Sequence, residues 1–178
     1  MRRKVTIDIW AANRWGLFLL AVSAVLLLVP YFLMSSWSYF LGQLTNGWAI
    51  LVFCFSLVAG VFLHEGIHGL TWGLANRNFH NVSFGIIWKY ITPYCHYSEP
   101  MSRSKYILGA VMPFLLLGIV PAVWGLLVMN VWIIFFAIFF IAGAAGDLWM
   151  IGLILKENPK AQFLDHPSEA GFYVIENE

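Results

Sequence analysis

The stretch "WAILVFCFSLVAGVFLHEGIHGL", Trp48 to Leu70, decides how the chain must be read. Its length and composition are those of a helix crossing a bilayer, which needs about 20 mainly apolar residues. Toward its end, however, it carries His64, Glu65 and His68. Ionisable groups are costly in hydrocarbon, so a cluster of them there points to function. Three other stretches share this length and character: Trp15 to Met34, Tyr106 to Met129, and Val131 to about Leu155. The whole chain agrees, with 61% of its 178 residues hydrophobic and 11% charged and a mean hydropathy of +0.77, outside the balance of a soluble domain. The expected fold is an all-α polytopic membrane protein of four spans. It forms a single domain over residues 1–178: an N-terminal segment 1–14, a transmembrane core 15–155 and a tail 156–178. The first stretch has the basic flank of a secretory signal, but its apolar run is longer and lacks a clear small-residue cleavage site, so it reads as a retained span.

Orientation follows from the basic residues, which concentrate in cytoplasmic connections. Arg2, Arg3, Lys4 and Arg14 precede span one; Arg77, Lys89, Arg103 and Lys105 lie between spans two and three; Lys156 and Lys160 follow span four. With four spans these regions share one side, and the other two connections, Ser35 to Gly47 and a tight turn near Asn130, hold no Lys or Arg. Both termini are therefore expected in the cytoplasm, in a multi-pass protein of the cell membrane. The net charge of +1, spread along one membrane face, does not make a nucleic-acid footprint. Cys54 falls in span two and Cys95 in a cytoplasmic, reducing connection, so no disulfide is expected.

His64 and His68 are four residues apart, which stacks them on one face of a helix as a chelating pair. Glu65 projects beside them, within reach of a water on a metal held by the two imidazoles. The pattern HExxH thus places two zinc ligands and a general base on one rigid element. A zinc site needs a third protein ligand, and Asp147 is the only acidic residue in spans one, three or four. Depth agrees, because Trp48 to His64 and Val131 to Asp147 are each about 24 Å of helix, running in the same direction. The run "AGAAG", Ala142 to Gly146, and the glycines Gly66, Gly69 and Gly73 would let the two spans approach closely, although small residues also serve ordinary helix packing.

The segments "HEGIHG", "PYCHYSEPMSRSKYILGAVMP", "AGD" and "DHPSEAGFYV" together resemble a bacterial domain-of-unknown-function family of membrane zincin peptidases, itself similar to the site-2 proteases. The resemblance covers roughly Val61 to Val174. It implies zinc ligands at His64, His68 and Asp147, a catalytic base at Glu65, and a location in the bacterial cytoplasmic membrane. One departure is that Leu148 follows Asp147, where site-2 proteases usually have glycine in an LDG-like motif.

Between Arg77 and Lys105 the period changes. Val82, Phe84, Ile86, Trp88 and Tyr90 alternate with Ser83, Gly85, Ile87, Lys89 and Ile91, the pattern of a strand or small hairpin. Such a strand would offer an edge for an extended substrate; equally, it would make an interfacial hairpin anchored by Trp88 and Tyr90. His80, His96 and Glu99 are reserve ligands, with Glu99 the replacement for Asp147 if the connection folds back. Pro113 and Pro121 are expected to kink span three. The polar tail, with Phe163, Phe172 and Tyr173, is expected to lie against the cytoplasmic face.

Three functional readings are open at this point. The first is a zinc-dependent endopeptidase that cleaves a membrane protein or peptide near the cytoplasmic side. The second is a non-catalytic metal-binding membrane protein, a sensor or assembly factor, which would have little use for Glu65. The third is a structural protein whose polar triplet only joins helices.

Overall fold

The computed structural model describes residues 2–88, 92–166 and 171–176. Strand β1 (Arg2–Thr6) leads to helix α1 (Ile9–Met34), where the Asp8 carboxylate accepts the Trp10 amide. A short helix α2 (Trp37–Leu44) turns the chain into α3 (Gly47–Asn76), whose cap Asn46 accepts the amides of Trp48 and Ala49. Helix α3 stops at Arg77, which takes a φ of 53°, while the Asn78 N–H returns to the Gly73 carbonyl. That closure satisfies carbonyls left over at a helix end.

A hairpin follows, β2 (Val82–Ile87) and β3 (Thr92–Tyr97), then β4 (Met101–Ser102) and α4 (Arg103–Pro113). A π-helical segment, Phe114–Ile119, connects α4 to α5 (Val120–Leu127). There the Val120 N–H reaches five residues back to Leu115, just before Pro121, which has no N–H to give. Past a turn at Met129, Asn130 caps α6 (Val131–Gly143). Helix α7 (Ala145–Ile154) continues α6 after a one-residue break at Ala144, and strands β5 (Gln162–Asp165) and β6 (Gly171–Ile175) end the chain.

Four helical stretches are long and apolar enough to cross a membrane: Trp10–Met34, Gly47–Asn76, Arg103–Leu127 and Val131–Ile154. They match the four expected spans, with the first and second longer than the hydropathy boundaries implied. Their outer faces carry a belt of exposed apolar residues, among them Leu17, Val25, Leu33, Leu51, Phe55, Val58 and Phe62. A soluble monomer does not expose apolar surface on this scale.

The expectation of an all-α fold is corrected. The hairpin is present, antiparallel, with Phe84 opposite Cys95 and Ser83 opposite His96. There is also a four-stranded antiparallel sheet in the order β1, β6, β5, β4. It joins the first residues of the chain to the last, Arg2 opposite Ile175, so both ends lie on one side of the helices. Its strands are too short to stand alone. They are held because Phe163, Phe172 and Val174 are buried against Met101, Tyr106, Trp72 and Ile154 at the base of the helices. The tail thus lies against the base of the helices, through strands of a packed sheet. Trp88 is exposed just past β2; Lys89, Tyr90 and Ile91 lie outside the described residues.

Candidate metal centre

The site grows from α3 just past its midpoint. His64 and His68 stand one turn apart, their rings 4.9 Å between centroids. Helix α7 brings Asp147 to them from its first turn: Oδ2 lies 3.1 Å from His64 Nε2 and Oδ1 3.5 Å from His68 Nε2. One donor atom from each of the three residues falls within 4.8 Å of the others. Among the described residues this is the one such group of three His, Cys, Asp or Glu side chains.

The second nitrogen of His68 settles what the first can do. Nδ1 lies 2.9 Å from the Gly109 carbonyl on α4. A carbonyl only accepts, so Nδ1 carries the proton, and in the neutral ring Nε2 is left with a lone pair. That lone pair faces an Asp147 oxygen. Two electron-rich atoms so close in a buried place require positive charge between or upon them, a proton or a metal ion. The donor set, two imidazole Nε2 atoms and a carboxylate, is of the kind zinc takes with a fourth position left open, and the fixed tautomer is the usual outer-shell support of a ligating histidine. The residues therefore fit the metal that the motif implies.

Two close approaches build this support. Gly109 has no side chain, and a Cβ there would sit 2.6 Å from Trp72 Cε2 and closer still to Cδ1 and Nε1. Its absence lets α4 lie against the Trp72 ring, which stacks on His68 at 5.2 Å and 18° and donates Nε1–H to the Tyr106 carbonyl. Likewise a Cβ at Gly69 would meet Phe84 Cζ at 2.6 Å, Val82 Cγ1 at 2.8 Å and Cys95 Sγ at 3.1 Å. The hairpin therefore rests directly on α3, one residue past His68.

That seating brings β3 to Glu65. The Ser98 N–H pairs with the Asn81 carbonyl, and by the alternation of an antiparallel ladder His96 and Tyr94 turn their backbone groups toward β2 while Cys95 turns its own outward. The outward Cys95 N–H donates to the Glu65 carboxylate. Burial, followed by the charges of Glu65 and Asp165, pushes the Cys95 thiol from 9.0 up to about 12.

The reserve ligands are elsewhere. His80 is exposed in the turn after α3 and Glu99 is exposed beyond β3. His96 pairs through Nδ1 with Asp165 Oδ2 at 3.0 Å, and Asp165 Oδ1 accepts the Tyr106 hydroxyl at 3.0 Å. Sequence reasoning missed Trp72, Gly109, Tyr106, Asp165 and the Cys95 amide. The signals for them were two of the stretches that carry the resemblance: "PYCHYSEPMSRSKYILGAVMP", which spans Cys95, Tyr106 and Gly109, and "DHPSEAGFYV", which begins at Asp165; Trp72 had none.

No curated protein and no solved structure matches the chain. A family model does, over residues 57–162, a range that contains His64, Glu65, His68, the hairpin, Gly109 and Asp147. The chain belongs to the family described as "Putative zincin peptidase".

Proposed function

We propose that this chain is a zinc-dependent peptidase embedded in the cell membrane of a bacterium, acting on a membrane protein or membrane-associated peptide close to the cytoplasmic side. The observation that carries the proposal is the convergence of His64, His68 and Asp147 from two spans, with Glu65 as the residue beside the first histidine. His64 Nε2, His68 Nε2 and an Asp147 oxygen would hold the ion. When bound, zinc supplies the charge that acidifies a water and polarises a scissile carbonyl. Glu65 takes the proton of the attacking water and returns it to the leaving amine. The Gly109 carbonyl keeps His68 in the ligating tautomer, and the Cys95 amide holds the Glu65 carboxylate in place until it is needed.

Two features support the cytoplasmic placement in this reading. His68 is about 12 Å of helix from the end of α3 at Asn76, which supports chemistry nearer that side of the membrane. Strands β1 and β6, near the two ends of the chain, share a sheet, and the basic residues of the connections support a cytoplasmic assignment for that side by the positive-inside rule.

The test is zinc content per chain, by elemental analysis of the detergent-purified protein beside His64→Ala and Asp147→Ala. About one zinc in the wild type, lost in both variants, supports the site. No zinc after careful loading overturns it. Retained full activity in Glu65→Gln removes the hydrolytic mechanism and leaves a metal-binding membrane protein.

A further inference from the structure

We infer that Asp165, in the tail strand β5, is a positioning residue for the metal centre, tying together the elements that hold His68, Glu65 and Asp147. The inference rests on the zinc-peptidase reading above and adds a residue that neither the motif nor the cluster contains.

Its side chain is 13% exposed and makes two charge-assisted contacts, each to an element with a second task. Oδ2 takes His96 Nδ1 on β3; the preceding residue, Cys95, gives its amide to Glu65. Oδ1 takes the Tyr106 hydroxyl on α4. Tyr106 is fully buried, its carbonyl receives the Trp72 ring that stacks on His68, and one turn later Gly109 receives His68 Nδ1. The same hydroxyl lies 2.9 Å from Met150 Sδ on α7, three residues after Asp147. Of the three elements that face the metal ligands or the base, β3 and α4 therefore touch this carboxylate directly and α7 is reached through the Tyr106 hydroxyl.

Fastening the tail does not explain this carboxylate. Phe163, Phe172 and Val174 already bury β5 and β6 in an apolar cluster, and a largely buried carboxylate is a costly way to add to that. What it supplies is direction: two acceptor oxygens at fixed angles set β3 and α4 relative to one another, and the metal centre lies where they meet α3. Outer partners of metal ligands typically change metal affinity about 10- to 100-fold when removed, and that is the effect expected here.

The experiment uses the full-length protein in detergent and reads zinc affinity by chelator competition, together with the visible absorption of the cobalt(II)-loaded protein. Asp165→Asn and Asp165→Ala should keep their helical circular dichroism, bind zinc about 10- to 100-fold more weakly and show altered cobalt bands. Adding His96→Ala to Asp165→Ala should cost no further affinity. Val174→Ala, which loosens the same sheet core without touching the tie, should melt lower yet bind zinc as the wild type does. Wild-type zinc affinity and cobalt bands in both Asp165 variants would overturn the inference. An equal loss of zinc in Val174→Ala at matched melting temperature would overturn it too. If neither Asp165 variant folds, His96→Ala and Tyr106→Phe each cut one arm and carry the same comparison. A wild type that takes up neither metal overturns the zinc reading itself, a result distinct from all of these.

Discussion

Gly109→Ala is the sharpest perturbation of the way α4 supports the metal centre. The added Cβ would lie 2.6 Å from Trp72 Cε2, so ordinary contact at 3.4 Å demands a retreat of at least 0.8 Å, more against the nearer ring atoms. Trp72 has little room to give, because it is 4% exposed, stacked on His68 and hydrogen-bonded to the Tyr106 carbonyl. If α4 backs away by that amount, the 2.9 Å contact between His68 Nδ1 and the Gly109 carbonyl opens past hydrogen-bonding range. Two costs follow: about 1–3 kcal/mol of stability from overpacking, and about 10- to 100-fold in zinc affinity from loss of the outer partner. The second corresponds to about 1.4–2.7 kcal/mol. Zinc affinity by chelator competition, alongside thermal melting in detergent, measures both. Gly66→Ala is the control, since it sits inside the motif itself and a Cβ there meets nothing within 4 Å. If Gly109→Ala melts and binds zinc like Gly66→Ala, the claim that Gly109 admits α4 to the site is wrong.

Other expectations follow from the same geometry. Glu65→Gln should keep the wild-type zinc content and lower peptide hydrolysis by about 100- to 10,000-fold; equal hydrolysis would exclude Glu65 as the base. In a Cys54→Ser background, the Cys95 thiol, held up to about 12, should resist iodoacetamide at about pH 8.5 in the folded protein and react on unfolding. A thiol whose value is raised in the folded state contributes stability that is complete below its unfolded value of 9.0 and is lost as the pH climbs toward 12. The unfolding midpoint in detergent should therefore fall across that interval, and less so in Cys95→Ala. Reporter fusions at the two ends should both read as cytoplasmic; opposite locations would contradict the pairing of β1 with β6.

The parts of this molecule that could be read from residue order are those governed by local rules. Apolar runs of membrane length announced the four spans, and the spacing of His64 and His68 announced that they share one helix face, where they stand beside Asp147. Asp147 could be found because it was the one acid left in the remaining spans and because helical rise converts residue counts into depth. Alternation from Val82 onward gave the hairpin. The four-stranded sheet was hidden for the opposite reason. Its strands are two to five residues long, and the partners of β6 include residues at the other end of the chain. Short strands acquire their stability from burial against Tyr106 and Trp72, which no local pattern encodes. The breaks in spans three and four were half legible: the prolines marked the first, whereas the interruption at Ala144 lies in a run of small residues that packing alone would also explain. His96 looked like a spare metal ligand because its neighbour is a cysteine. Its real partner, Asp165, is 69 residues away.

Why the site lies where it does can be argued from the environment of α3. Most of this helix is apolar on every side, as a lipid-facing span must be, and its ionisable side chains are confined to about one turn just past its midpoint. Placed beyond the helix end, they would lose the fixed spacing that makes two histidines a chelating pair. At its actual depth the turn meets α4 and α7 on one side, which supply the Gly109 carbonyl and Asp147, and the hairpin on another, which supplies the Cys95 amide. The sheet of tail and N-terminal strands then closes over α4 and the hairpin from the aqueous side. The proposed reaction needs metal ligands and a base held rigidly in one place. The second half of α3, where span and hairpin meet, sets His64 and His68 beside Asp147 with Glu65 on the same helix.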